Sequence, residues 1–399
     1  MPWGPTLSTC KTLRPEGIKF TMNAIPAPQR TVPARHFYRA DHVGSFLRPK
    51  YLLDAHRQAQ QGQITGAQLR EIQDKAIAQV VRMQEDVGLQ SITDGELRRD
   101  YFHLDFLSQL DGVQTQLPSI VTGTDGREHL SPPSIKVVDR VRHGKDIQLA
   151  DFRYLASVTR RTPKVTIPSP TMLHFRGGRG GISEEAYPDL ETFYQDVADA
   201  YAAELRSLFN AGCTFVQFDD TNLAYLCDEK MRAAARERGD DPDELPHRYA
   251  AFINRLLDQK PQGMTTAVHL CRGNFKSTWA AQGGYEPVAE ALLARMNFDS
   301  YFLEYDDARS GDFQPLRFLP KGKLVVLGLI STKMGALESV DDIRRRIDEA
   351  ARFAPLEQLA LSPQCGFAST LHGNDIAMEQ QTEKLGRVVE VARRVWGEV

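Results

Sequence analysis

From Arg39 onward, short apolar or β-branched runs alternate with long amphipathic stretches. The runs predict strands at Arg39–Ser45, Ser91–Asp94, Lys164–Ile167, Phe215–Asp219, Thr265–Cys271, Ser300–Tyr305, Leu324–Ile330 and Leu359–Cys365. Between them, helical patterns run over Gly66–Val87, Leu190–Ala211, Pro246–Leu257, Pro287–Met296, Ser339–Phe353 and Asp375–Val395. Strands alternating with helices imply βαβ units and a parallel sheet. Eight such strands predict an α/β fold, a single (β/α)8 TIM-type barrel. A doubly wound sheet would carry a glycine-rich phosphate loop after an early strand, and none is present.

Three stretches break the rhythm. Residues 112–160 mix Gly, Thr, Pro and charge, and read as an inserted segment of irregular strands, a hairpin among the options. Residues 228–246 form a second, highly charged and partly helical insertion. Residues 1–35 carry six prolines and no periodicity, the pattern of a disordered arm, with Met22 as an alternative start. The domain reading is therefore an arm over 1–35 and one catalytic barrel over 36–399.

Composition narrows the function classes. With 399 residues the chain can bury a large core, and 41% hydrophobic with 25% charged residues is ordinary for a soluble enzyme. A net charge of −3 leaves no electrostatic footprint for nucleic acid or an anionic membrane. No apolar run is long enough to span a bilayer. Five scattered cysteines argue against a disulfide framework and for a reducing, cytoplasmic setting.

The chemistry gathers where the predicted strands end. In a barrel those C-terminal ends converge on one rim, where active sites sit. His269 and Cys271 are two apart, so on a strand they point the same way. Glu304 ends the sixth strand and Cys365 the eighth. Imidazole, two thiols and a carboxylate suit Zn²⁺. Taken singly, each has a plainer role, since a buried Cys on a strand is usually a small hydrophobe. The separation of 94 positions from Cys271 to Cys365 excludes a zinc finger, so only the whole fold could assemble such a site. His42, Ser45, Asp94, Glu96, Asp219 and Asp220 mark further strand ends. Carboxylates there can hold an ammonium group or move a proton, or simply cap a helix, a role that suits Asp220 and Thr221. The Arg176–Gly181 run (Arg-Gly-Gly-Arg-Gly-Gly) can cradle an anion, hinge a lid or be a plain loop. Cys213, Cys227, His174 and His372 read as packing or surface residues.

Together these residues resemble a known family. Asp41-His42-Val43-Gly44-Ser45-Phe46-Leu47-Arg48-Pro49, Thr93-Asp94-Gly95-Glu96, Val216-Gln217-Phe218-Asp219, His269-Leu270-Cys271, Glu304 and Ser362-Pro363-Gln364-Cys365-Gly366 are similar to the catalytic barrel of cobalamin-independent methionine synthases. The likeness is to short stand-alone members without the N-terminal barrel, and covers about residues 38–397. It implies a barrel of the uroporphyrinogen decarboxylase/methionine synthase type and a zinc site of His269, Cys271, Glu304 and Cys365. It also implies homocysteine contacts by Ser45, Glu96 and Asp219, with His42 beside them. Zn²⁺ held by two thiolates and a carboxylate is electron-rich, so an incoming thiol loses its proton and stays nucleophilic. Glu304, the hardest ligand, is the natural one to be displaced.

The departures concern the methyl donor. The long enzymes have Asp-Glu-Pro-Ala where Asp219 is followed by Asp220-Thr221-Asn222. Phe175 stands where they carry a folate-stacking Trp, and Lys333 where they carry a His. The resemblance thus implies methyl transfer to homocysteine from a methylfolate, a corrinoid or another small carrier, with a methyl-delivering protein partner as a further option. A competing function is alkyl transfer to a different thiol, as in the epoxyalkane–coenzyme M transferases. A sulfonate thiol would need Arg or Lys at its far end, and Arg176 and Arg179 are candidates. A metal-free decarboxylase would leave the His-Cys-Glu-Cys set unexplained. A structural zinc site is normally local in sequence, which this one is not.

Overall fold

The computed structural model describes Met1 and residues 36–116, 120–122, 128–130, 134–273, 279–371 and 373–399. The expected arm at 1–35, save Met1, and His372 lie outside the described residues. The strands in chain order are β1 (Ser91–Ile92), β2 (Asp111–Gln116), β3 (Ile120–Thr122), β4 (Glu128–Leu130), β5 (Ser134–Arg142), β6 (Thr162–Pro168), β7 (Phe215–Asp220), β8 (Thr265–Leu270), β9 (Ser300–Glu304), β10 (Leu324–Ile330) and β11 (Leu359–Pro363). Seven of them form one parallel sheet in the order β1-β6-β7-β8-β9-β10-β11. Ala40 bridges in parallel to Leu361 on β11 and supplies the eighth position. The fold is the expected (β/α)8 barrel.

The helices follow from local signals. The helix Gly66–Val87 starts at a capping box between Thr65 and Gln68 and ends at Gly88, whose φ of 102° terminates it. Asp189 and Ser339 cap the helices Leu190–Asn210 and Val340–Ala350. The helices Leu245–Leu257 and Met378–Trp396 lie within two or three residues of expectation. The segment expected as a helix at Pro287–Met296 winds instead as a 3₁₀ turn and a π-helix over Glu290–Arg295. In the stretch 112–160, β2 pairs antiparallel with β5 and β3 with β4, and the helix Leu149–Val158 then leads into β6. The charged stretch 228–246 contains the helix Glu229–Glu237.

Strand periodicity divides the core into two layers. Val216, Phe218, Val268, Leu270, Tyr301, Leu303, Val325, Leu327, Leu359 and Leu361 face the helices and belong to the large outer core. Their alternates Phe215, Ala267, Phe302, Leu324, Val326 and Ala360 form an apolar plug inside the barrel. One step further along each strand the inner face turns polar, from Phe215 to Gln217 and Asp219, from Ala267 to His269, and from Phe302 to Glu304. The register is tight: Asp219 pairs with His269, and Glu304 with Gly328.

The seam between the eighth and second strands is less regular than expected. The strand predicted at Arg39–Ser45 is reduced to the Ala40 bridge, with Asp41 N–H donating to Leu361 O (3.0 Å) and Leu361 N–H to Arg39 O (2.9 Å). Side chains close the rest. The fully buried Lys164 ammonium donates to Asp41 (2.7 Å), the Ser91 hydroxyl donates to the same carboxylate, and the Gln217 amide donates to Val43 O (2.6 Å). These bonds replace a backbone ladder and leave Val43–Ser45 free to turn into the barrel mouth.

Candidate metal centre and substrate cleft

One ligand atom from each of His269, Cys271, Glu304 and Cys365 can be chosen so that all lie within 4.8 Å of one another. All four residues are buried. His269 comes from the inner face of β8, Cys271 from the residue after that strand, Glu304 from the end of β9 and Cys365 from the turn after β11. The two sulfurs are 3.3 Å apart. Neither ring nitrogen of His269 has a hydrogen-bond partner, and neither does Oε2 of Glu304. Buried polar atoms normally find partners, so this set of orphans suits a cation.

Charge competition within the cluster points the same way. Hydrogen bonding to Cys365 and burial push the Cys271 thiol far above its ordinary value. The bond from Cys271 pulls Cys365 well below its own. Burial holds the Glu304 carboxyl up. The four groups therefore cannot all carry their ligating charge state by themselves, whereas a divalent cation would favour it for every one. The donor set and spacing fit zinc.

The cluster opens onto a cavity of about 250 Å³ at the C-terminal mouth of the barrel. His269, Cys271 and Cys365 line it, but Glu304 does not. Ser45, Glu96 and Asp219 also line this cavity. Glu96 has the sole positive φ among non-glycine described residues, 55°, a strained conformation of a kind that clusters at functional sites. Its carboxylate accepts from Thr166 Oγ1 (3.0 Å) and pairs with Arg99. Arg48 in turn donates to the carbonyls of Glu96 (2.8 Å) and Arg99 (2.7 Å). Asp219 accepts from Gln217 (2.8 Å), and burial, then the nearby Glu96 charge, push it up to about 7. Behind these two carboxylates, burial and Asp151 raise Asp94 to about 6.

Two glycines make this arrangement sterically possible. A Cβ on Gly44, whose φ is 139°, would lie 2.7 Å from Glu96 Oε1. A Cβ on Gly366 would lie 1.9 Å from Ser45 Oγ. Ser45 O accepts from Phe367 N (2.9 Å), tying the first strand end to the turn that carries Cys365.

The structure corrects two expectations, on His42 and Arg179, and keeps others. His42 does not line the cavity. Its ring packs on Phe46 at 5.1 Å, its Nε2 donates to Ser91 O (3.1 Å), and burial with the Lys164 charge lowers it to about 3, so it is a neutral core histidine rather than a substrate contact. Arg179 donates to Ile182 O and Tyr187 O and serves its own loop, so of the two loop arginines only Arg176 reaches the cavity. Phe175, at the stacking position, is buried and lies outside the cavity lining. Asp220 accepts from Thr171 Oγ1 (2.7 Å) and Leu223 N (2.9 Å) as a local cap. Cys213, Cys227 and His174 are buried packing residues. Sequence reasoning missed the aromatic side of the cavity: Tyr101, Phe102, Tyr225 and Trp279. Trp279, half exposed in a charged loop after the fifth strand, was the one available signal.

The chain is 44% identical to the uncharacterized protein YxjH of Bacillus subtilis over 376 residues, 92% of this chain and 96% of the relative. It is 25% identical to a methionine synthase of Pyrococcus abyssi over 328 residues, 82% of this chain and 85% of that protein. A crystal structure of a putative vitamin-B12-independent methionine synthase from Listeria monocytogenes superposes with a TM-score of 0.74 at 37% identity, covering 92% of this chain and all of that one. A family model described as the catalytic domain of cobalamin-independent synthase matches residues 39–394. The chain belongs to the cobalamin-independent methionine synthase family, through its catalytic domain.

Proposed function

We propose that this protein is a zinc-dependent methyltransferase that methylates the thiol of homocysteine to form methionine. The observation that carries this reading is the cluster of His269, Cys271, Glu304 and Cys365 beneath a cavity that also presents Glu96 and Asp219. The four residues would hold the zinc ion, which when bound lowers the pKa of an incoming thiol so that it is nucleophilic near neutral pH. Glu96 and Asp219 would receive the ammonium group of the amino acid, two carboxylates for one cation. Ser45, fixed by the Phe367 N–H, would contact the same substrate. The carboxylate wall would thereby orient the thiol toward a methyl group held in line, and proximity would supply much of the acceleration.

The donor is a small methyl carrier of the folate type or another small molecule that fits the aromatic side of the cavity. Phe102, Tyr225 and Trp279 offer faces for a flat ring, in place of the displaced Phe175. A second reading rests on Arg176, whose position in the cavity suits the far end of a sulfonate thiol. That would make the protein an alkyltransferase for another thiol, of the epoxyalkane–coenzyme M transferase kind.

The test is metal analysis with X-ray absorption at the zinc edge. About one zinc per chain, with the sulfur count rising from two to three on adding homocysteine, is expected. A rise with a sulfonate thiol but not with homocysteine would move the assignment to the second reading. Protein purified without chelator and free of zinc would sink both.

A further inference from the structure

The chain carries a buried lysine that the reading above does not use. Lys333 follows β10, and its side chain is 7% exposed. The backbone there is held rigidly: Thr332 N donates to Gln364 Oε1 (2.6 Å), and Thr332 Oγ1 donates to Gly366 O (3.2 Å). The ammonium nonetheless makes no hydrogen bond. Its nearest acidic group is Asp306, at 3.7 Å. Its charge is held against burial by Glu304 first, then by Asp306, Cys365 and Cys271. A buried ammonium without a bonded partner is costly, so its place needs a reason.

Position sets Lys333 apart from the cavity that would hold the donor. Lys333 does not line the cavity, and neither does Glu304. Both therefore lie outside the wall that an incoming thiol would meet. A thiol arriving from the cavity meets the side of His269, Cys271 and Cys365, so the ligand free to yield is the one outside that wall, Glu304. Once it yields, a buried carboxylate needs a cation. Arg272 is close, with Nη1 4.0 Å from Oε2, but both of its terminal nitrogens are already engaged, by Tyr285 OH (2.8 Å), Gly283 O (2.8 Å) and Glu304 O (3.2 Å), and only its Nε is unpartnered. Lys333 has its hydrogen-bonding capacity free.

We propose that Lys333 is a positioning residue that receives the Glu304 carboxylate when a substrate thiol takes its place at the metal. The inference rests on the proposed zinc–thiol reading. Lys333 stays an ammonium throughout. The exchange moves one carboxylate from metal to ammonium and needs no oxidant or proton donor. It stabilises the thiol-bound state over the resting state, which is the difference that sets thiol affinity.

The experiment uses the full-length zinc protein, K333M and K333R. Zinc content, zinc-edge sulfur and oxygen counts, and the homocysteine Kd by calorimetry are the readouts. In the wild type, homocysteine should add one sulfur and remove one oxygen. K333M should keep its zinc without thiol, retain the oxygen ligand, and bind homocysteine about 10- to 100-fold more weakly, as for other groups that support metal ligands. K333R should recover most of that loss. K333M with wild-type affinity, or unable to hold zinc in the absence of thiol, overturns the inference. So does a wild type that gains sulfur without losing oxygen, a result that needs no variant and leaves the functional reading intact. A wild type whose zinc ignores homocysteine and other thiols defeats the functional reading itself.

Discussion

On the metal side of the cleft, His269 and Glu304 stand on regular, fully buried strands, yet both ring nitrogens of His269 and Oε2 of Glu304 lack hydrogen-bond partners. On the carboxylate side the backbone is irregular, with φ of 139° at Gly44 and 55° at Glu96, yet Glu96 and Asp219 both accept hydrogen bonds. The metal side is rigid and unsatisfied, so it gains when a cation arrives. The carboxylate side is strained and satisfied, so an ammonium must displace or share the Arg99 pairing. The first wall trades stability for affinity, and the second trades affinity for order.

The contrast yields graded expectations. If the proposed reading holds, Cys365→Ala should abolish zinc binding and lower activity by more than about 10³-fold, since the metal would activate the thiol nucleophile. The metal-free variant should melt close to the metal-free wild type, because the thiol gives up only its weak contacts with Cys271 (3.3 Å) and Ser369 (3.8 Å). A clear drop in its melting temperature would mean that the cluster is ordinary packing. Glu96→Gln should raise the homocysteine KM by roughly 100-fold, the worth of a charged hydrogen bond of about 1.5–3 kcal/mol, with zinc content unchanged. Loss of zinc in that variant would erase the distinction between the walls. Gly366→Ala should cost about 1–3 kcal/mol of stability by overpacking against Ser45, measured by denaturant unfolding, and should weaken both walls.

Titration sharpens the comparison further. Burial and the nearby Glu96 charge push Asp219 up to about 7. Below that pH it carries a proton and cannot pair with an ammonium group, so homocysteine affinity should fall about tenfold per pH unit once the group is mostly protonated. Asp219→Asn should be weak and flat across the same range, and a wild type flat between pH 6 and 8 would argue against the assignment. The smallest effect on activity belongs to His42. His42→Asn should cost about 1 kcal/mol for its hydrogen bond to Ser91 and leave KM unchanged. A large KM effect would restore it as a substrate contact. Because the native state holds His42 neutral down to about 3, the unfolded chain binds its proton first. Its contribution to stability is therefore lost progressively as pH falls below about 6.5.

The legible parts of the molecule are those governed by local rules. The helix at Gly66–Val87 could be read to the residue because a capping box opens it and a glycine closes it. Seven of the eight strands could be located, six of them from apolar runs, since parallel strands covered on both faces are nearly continuous in hydrophobicity. The first strand shrank to a bridge because side-chain bonds through Asp41 and Lys164 took over from the ladder, a contact 123 residues apart that no window along the chain contains. The role of His42 was misread for a related reason. Position beside Gly44-Ser45 in the chain does not say which way the ring turns, and Phe46 with Ser91 turned it into the core.

The sequence by itself determined the alternation of strands and helices, the barrel class and which residue types stand at the strand ends. Those depend on periodicity, capping and turn chemistry within a few residues. Only the tertiary structure decided that His269, Cys271, Glu304 and Cys365 share one 4.8 Å cluster, that Glu304 and Lys333 stay out of the cavity wall, and that Arg176 but not Arg179 reaches the cavity. Those facts depend on register between strands and on competition for hydrogen-bond partners among residues far apart in the chain. Such competition is settled only once the whole barrel has closed.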